Sequence, residues 1–239
     1  MRSWQKIGLV AILICGQCAS ARKTAFPVLR WVEGAACCSL RQGEDGRTYY
    51  RVATSEFEVT LGVDSRELEK LSRRATPMLA VLLDFRLLGN AQLRIQRDHF
   101  ALEFVKHSQV IKTSLEPNDL LREIQENAED LTHQVERHEI PKHPKLKDQK
   151  EAELQERLKD YTEMTDFIST RALHSTTLSP AKSSISGWVF FSVKDRWIGP
   201  WRKPEQFVLS LPLGGLSVEF PFSLPPQSEK LELRRRSQQ

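Results

Sequence analysis

The chain is poor in cysteine, with four in 239 residues, and it lacks both a long hydrophobic run and a strong excess of charge of either sign. Cys15 and Cys18 fall within the first 21 residues, "MRSWQKIGLVAILICGQCASA". That segment carries Arg2 and Lys6, then an apolar stretch from Ile7 to Cys15, then the small residues Ala19, Ser20 and Ala21. This order reads as a secretory signal peptide covering residues 1–21. The uncharged stretch is shorter than the roughly 20 apolar residues that span a bilayer, so a retained anchor is the minor alternative and a membrane partner is expected only in that case. Ile14 and Gln17 precede the two cysteines where lipid attachment needs a small residue, which argues against a lipid anchor. The expected location is therefore secreted or periplasmic, in the cell envelope.

Removing Arg2 and Lys6 from 35 basic residues set against 31 acidic ones leaves a surplus of two, so no nucleic-acid partner is implied. After the same cut only Cys37 and Cys38 remain, and no disulfide framework can hold the fold. Adjacent Cα atoms lie about 3.8 Å apart, below the usual disulfide window, so the pair reads as two thiols or an intermolecular bridge, with a strained vicinal disulfide as the alternative. A hydrophobic core must supply the stability, and a chain of this length can bury one.

Residues 22–46 show no clean period and are expected to form a loosely ordered lead-in. From 47 to 225 the pattern is that of a β domain. Phe57, Val59 and Leu61 alternate with Glu56, Glu58 and Thr60, the period of a strand with one buried face. Asp64 and Glu67 suggest a capped helix or turn through "SRELEKLSRR". Three strands are expected in "PMLAVLLDFRLLGNAQLRIQRDHFALEFV", of which Met78–Leu87 is apolar enough for a sheet interior. Leu209, Leu211 and Leu213, then Gly214-Gly215, then Leu216, Val218, Phe220 and Phe222 spell a β-hairpin. Pro212 and Pro221 suggest an edge strand, because proline cannot donate to a ladder. The charged tail 226–239 is expected to be disordered.

Between these strands the period changes. Leu120, Ile124, Ala128, Leu131 and Val135 form one helical stripe, and Leu154, Leu158, Tyr161, Met164 and Ile168 form another. With Pro141 and Pro144 expected to stop the first helix, residues 118–168 read as a helical hairpin inserted into the β domain.

The run "LSPAKSSISGWVFFSV", followed by a variable loop and a strand ending "LSVEFPFSL", resembles the closing part of bacterial secreted immunoglobulin-like domains of unknown function. Gly187 and Phe191 match the G-x-x-x-F element of that family, and the likeness extends over Tyr49–Thr113 and Thr176–Leu224. It implies an immunoglobulin-like antiparallel β-sandwich, mainly β with an α insertion, and a role in extracellular binding. The helical hairpin has no counterpart in the plain domain, and no ligand motif of the family is matched.

Five tryptophans raise the question of a site. Trp188 is read as core, and Trp197 and Trp201 as latching their loop over the sheet end. The alternative is a carbohydrate platform in which Trp197 and Trp201 stack on a sugar while Asp195, Arg196, Arg202 and Glu205 hydrogen-bond its edges. His133, His138 and His143 recur every five residues, about 140° of helical turn, so they share no face. "HEIPKH" departs from the zinc-protease spacing, and no metal is expected. Lys142, Lys145, Lys147 and Lys150, interleaved with Asp148, Glu151 and Glu153, form a solvated face. No nucleophile elbow, phosphate loop or paired-carboxylate frame occurs, so no catalytic residue and no cofactor is assigned.

The resulting expectation is an exported, non-enzymatic interaction protein. A protein partner or a second copy would meet Leu120, Ile124, Leu131, Val135, Leu154, Leu158 and Tyr161 on the helical hairpin. A carbohydrate-binding module is the second reading, and an uncharacterised hydrolase the third.

Overall fold

The computed structural model describes residues 27–64, 78–107, 110–193 and 205–224. Twelve strands are described: β1 Val28–Arg30, β2 Cys38–Gln42, β3 Arg47–Ala53, β4 Phe57–Asp64, β5 Met78–Leu87, β6 Leu93–Ile95, β7 Ala101–Phe104, β8 Ile111–Thr113, β9 Thr176–Leu178, β10 Ser184–Ser192, β11 Glu205–Leu213 and β12 Leu216–Leu224. Two long helices, α1 Pro117–Gln134 and α2 Lys147–Arg171, stand between β8 and β9. The protein is mainly β, with two sheets stacked as a sandwich.

One sheet has the order β10-β5-β4-β3-β2 and is antiparallel throughout. The other runs β1-β12-β11-β6-β9, with β7 also on β11 and β8 on β7. Alternation places Val59, Leu61, Leu83 and Phe85 of the first sheet against Leu102, Phe207, Leu209, Phe220 and Phe222 of the second, all fully buried. Phe207 stacks on Phe222 with centroids 5.1 Å apart and meets Phe104 edge-on at 5.2 Å.

Of the stretch 22–46 expected to be a loosely ordered lead-in, the described residues 27–46 are part of the sandwich. Strand β1 pairs in parallel with β12, β2 pairs with β3, and Trp31 between them packs on Tyr50. Short strands such as these carry too few residues for a period to show, and pairing with longer neighbours holds them.

The Gly214-Gly215 turn has φ of +55° and +88°, the left-handed pair that a two-residue hairpin demands and that glycine adopts without strain. The edge-strand expectation for this hairpin is corrected, since β12 is flanked by β11 and β1, and β11 by β12 and the β6 and β7 strands. Its prolines are accommodated because each lies opposite a gap. Pro221 is beyond Glu219, the last residue paired with β1, and Pro212 falls between the β7-paired Ser210 and the β6-paired Leu213. The gap beside Pro212 is the single helical turn Arg97–His99 that interrupts β6 and β7.

The outward side is apolar in the first half of β5 and the second half of β10, and α1 and α2 cover it. Met78, Ala80, Trp188 and Phe190 bury against Leu120, Ile124, Met164 and Ile168, with Phe167 edge-on to Trp188 at 5.2 Å. This explains why Met78–Leu87 reads as almost wholly apolar: its inner face meets the sandwich core and part of its outer face meets helices. Past those contacts the helices pack on each other, burying Val135 and Leu154. Pro141 does not stop the first helix. The backbone widens to a π turn over Val135–Glu139, continues through Ile140–Lys142, and breaks at His143, where φ is −131° and ψ is 62°. A widened turn relieves the clash of a proline ring with the preceding turn, so the helix passes through. Among the described residues no helix is long and apolar enough to cross a membrane.

A buried arginine ties the helices to the sandwich. Arg97 Nη1 donates to Leu115 O at 2.6 Å and to Ser114 Oγ at 3.1 Å, its Nη2 pairs with Glu116, and its backbone N–H donates to Ser175 Oγ at 3.1 Å. One residue therefore grips the chain on both sides of the two helices. The same flanking segments seal the free side of β10, where Leu115 N–H donates to Phe190 O and Leu173 N–H to Trp188 O, both at 2.8 Å. Gly187 is required there, since a Cβ would stand 2.8 Å from the Leu173 backbone.

Candidate functional site

The outer face of the five-stranded sheet divides along one rung. Arg41, Tyr49, Gly62, Leu82 and Trp188 are directly opposed in register, one from each of β2, β3, β4, β5 and β10. On one side of this rung β5 and β10 carry the apolar patch beneath the helices, while β3 and β4 carry Arg47 opposite Asp64. On the other the face is polar, through the rung Ser39, Arg51, Thr60, Asp84 and Ser186 and then Ala53, Glu58, Arg86 and Ser184. Arg51, Asp84, Arg86, Ser184 and Ser186 are exposed, while Thr60 and Glu58 are half-buried.

Rings and guanidinium groups interleave along the dividing rung. Arg41 lies over the Tyr49 ring at 4.9 Å from its centroid, and Arg47 lies over the Trp188 ring at 5.0 Å. The Tyr49 ring rests on the sheet because Gly62 has no side chain; a Cβ there would meet a ring carbon at 2.9 Å. Arg47 is further anchored by the turn before β3. Its Nη1 donates to Asp45 Oδ2 at 2.6 Å and its backbone N–H to Oδ1 at 3.1 Å, while the Tyr49 hydroxyl donates to Oδ2 at 2.5 Å. The Tyr49 hydrogen bond chiefly, with the Arg47 groups, holds the Asp45 carboxyl below the ordinary carboxylate range. Arg47 Nε is buried and has no partner.

On the polar half, Arg51 pairs with Glu58. Lost hydration raises the Asp84 carboxyl, the charge of Glu58 adds to this, and Arg86 opposes it. Arginine and tyrosine immobilised on a strand scaffold lose little side-chain entropy on binding, and planar guanidinium groups match carboxylates geometrically. The face thus sets guanidinium groups and the Tyr49 ring beside the carboxylates of Glu58 and Asp84.

The residues singled out from sequence are placed otherwise. Leu120, Ile124, Val135 and Leu154 are buried, and Leu131, Leu158 and Tyr161 half-buried, within the helices and against the sheet. The buried part of that apolar stripe packs inward, between the helices and on the sheet. Glu205 is buried at the first position of β11, opposite Leu224, and its Oε1 accepts from the Gln206 N–H at 3.0 Å. Asp195, Arg196, Trp197, Trp201 and Arg202 lie outside the described residues, as do residues 1–21 expected to be a signal peptide, the segment after Asp64 expected to be a capped helix, and the tail 226–239. Trp188 is buried, in line with its reading as core.

The sheet-face residues carry a signal in the sequence. In "RTYYRVA" Arg47, Tyr49 and Arg51 alternate with Thr48, Tyr50 and Val52, and in Met78–Leu87 the apolar run is broken at Asp84 and Arg86. Alternation shows that such residues share one face of their strand. It does not show that four other strands add to the same face.

Between α1 and α2, in the part that packs only helix on helix, a cavity of about 370 Å³ is lined by Val135, Glu139, Lys150, Glu153, Leu154, Glu156 and Arg157. Lys150 Nζ lies 3.2 Å from Glu139 and 3.1 Å from Glu153, so these three lining groups are paired with one another. No protein-family model matches the sequence, and neither a curated protein nor a solved structure is similar to it.

Proposed function

We propose that the chain is an exported, non-enzymatic binding protein of the cell envelope: an immunoglobulin-like sandwich whose inserted helical hairpin stands beside a polar sheet face that meets a protein partner. The observation that carries this reading is the division of one sheet face. The helices cover its apolar half, and the other half displays Arg41, Tyr49, Arg51, Asp84 and Arg86 in rungs across the sheet. A face needed only for solubility has no use for arginines laid over rings, as Arg41 and Arg47 are, with Arg47 also anchored to the turn at Asp45. Arginine and tyrosine are the residues that interfaces favour. The contact surface thus moves from the hairpin's apolar stripe, which packing consumes, to the open strands next to it, with the exposed flank of the hairpin adjoining.

The test is retention of the purified protein on an immobilised envelope fraction from its source cells. Reversing charge at two exposed positions, Arg41→Glu with Arg51→Glu, should weaken retention at least about tenfold, the effect of losing roughly 1.4 kcal/mol, while leaving the unfolding midpoint nearly unchanged. Lys147→Glu at the far end of the hairpin should leave retention as it was. If the reversed protein is retained like the parent, the sheet face is not the contact, and loss through Lys147→Glu alone would return it to the hairpin.

A further inference from the structure

Cys37 and Cys38 are the cysteines among the described residues; both are half-buried and unbridged. They stand where the turn after Trp31 runs into β2. Cys38 N–H donates to Ala35 O at 2.9 Å, and Ala53 N–H donates to Cys37 O at 2.8 Å, so the two backbones are held from both sides. Successive residues of a strand point their side chains to opposite faces. At this strand start they do not: the two sulfurs lie 3.3 Å apart. Burial, chiefly, raises the Cys38 thiol above its ordinary range, and the contact with Cys37 adds to this against a backbone hydrogen bond from Val32.

A bridge here would behave unlike a structural disulfide. It closes no loop, so it restricts the unfolded chain very little. Adjacent Cα atoms about 3.8 Å apart lie below the roughly 4.4–6.8 Å that disulfides favour, so the bridge is strained and easily reduced. Proximity favours closing and strain favours reopening.

We propose that Cys37 and Cys38 form a reversible dithiol modification site that closes to a vicinal disulfide by exchange with a low-molecular-weight disulfide. One thiolate attacks a sulfur of the external disulfide, forming a mixed disulfide and releasing one small thiolate. The neighbouring cysteine, deprotonated, then attacks the protein sulfur of that mixed bond and releases the second. Two protein thiols and one external disulfide become one protein disulfide and two small thiols, with two electrons passing to the external disulfide. Turning the intervening peptide to close the bridge strains the Ala53–Cys37 hydrogen bond, so the modification acts on the start of β2.

The experiment treats the full chain with glutathione disulfide under native conditions, alkylates the remaining thiols and digests with trypsin. Cleavage after Arg30 and Arg41 puts Cys37 and Cys38 on one peptide, apart from the one bearing Cys15 and Cys18. The expected product is the Trp31–Arg41 peptide without alkylation and lighter by two hydrogens, returning to two alkylated cysteines after excess reduced glutathione. A persistent glutathione adduct, a link to a second copy, or two alkylated thiols would overturn the proposal. So would a bridge that withstands excess reduced glutathione. In Cys37→Ser and Cys38→Ser the adduct should persist, because no neighbour can expel it; the parent chain decides the matter by itself if either variant fails to fold.

Discussion

At the scale of single residues, burial sets chemistry that composition leaves open. Tyr50 and Tyr49 are neighbours of one type, yet Tyr49 lies on the outer face among charges while Tyr50 is buried edge-on to Trp31 at 5.0 Å and tilted against Phe222 at 6.5 Å. Burial, with a smaller contribution from the charge of Glu33, pushes the Tyr50 phenol up to about 12. A phenol whose value is raised in the folded state favours folding while it stays protonated. Its contribution is complete below about pH 10, the unfolded value, and is lost as pH climbs through about 12. Two units correspond to about 2–3 kcal/mol. The urea midpoint should therefore fall across this interval, and Tyr50→Phe should remove that part of the fall; an unchanged alkaline slope in the variant would show that Tyr50 does not cause it. Glycine makes the same point sterically. Gly62 and Gly187 are needed where a Cβ would stand within 3 Å of the Tyr49 ring and of the Leu173 backbone, contacts between different elements of the fold.

Elements owe their boundaries to local pattern and their places to longer-range contacts. The stripes from Leu120 to Val135 and from Leu154 to Ile168 are legible as helices because each holds a 3.6-residue period over several turns. The π turn at Val135–Glu139 is not legible, since it arises from how the backbone yields around Pro141. Besides apolar packing, the attachment of the helices uses Arg97, a charged residue in a short turn with nothing in its neighbourhood to mark it. Arg97→Met should cost about 2 kcal/mol: Leu115 O and Ser114 lose buried donors, while Glu116, about half exposed, recovers water. Arg97→Lys should restore only part, for want of the forked guanidinium. Chemical denaturation gives the cost. Hydrogen exchange should speed up first at Leu115 and Leu173, whose amides bond β10 beside this clamp. Uniform protection with the parent's stability would mean that packing alone attaches the helices.

For the molecule as a whole, the two helices do two separate jobs, and deletion can part them. Replacing residues 118–168 by a Gly/Ser linker uncovers Met78, Ala80, Trp188 and Phe190, and the expected result is aggregation or loss of cooperative unfolding. Replacing only 132–157 leaves Leu120, Ile124, Met164 and Ile168 on the sheet, and the product should stay monomeric with a melting temperature within a few degrees of the parent's. Size-exclusion chromatography with calorimetry distinguishes these outcomes. If the short deletion unfolds as readily as the long one, the contact of Val135 and Leu154 is essential to the cover. The sequence alone determined the mainly β character, most strand positions, the Gly214-Gly215 turn and the two helical stripes, because period and turn chemistry are properties of neighbouring residues. Only the tertiary structure decided that the helical stripe faces inward, that β1 and β2 join the sheets, that strands bearing proline can be flanked on both sides, and that Arg41, Tyr49, Gly62, Leu82 and Trp188 form one rung. Those outcomes depend on which strands become neighbours and which apolar faces meet, and both are settled by contacts between residues distant in the chain.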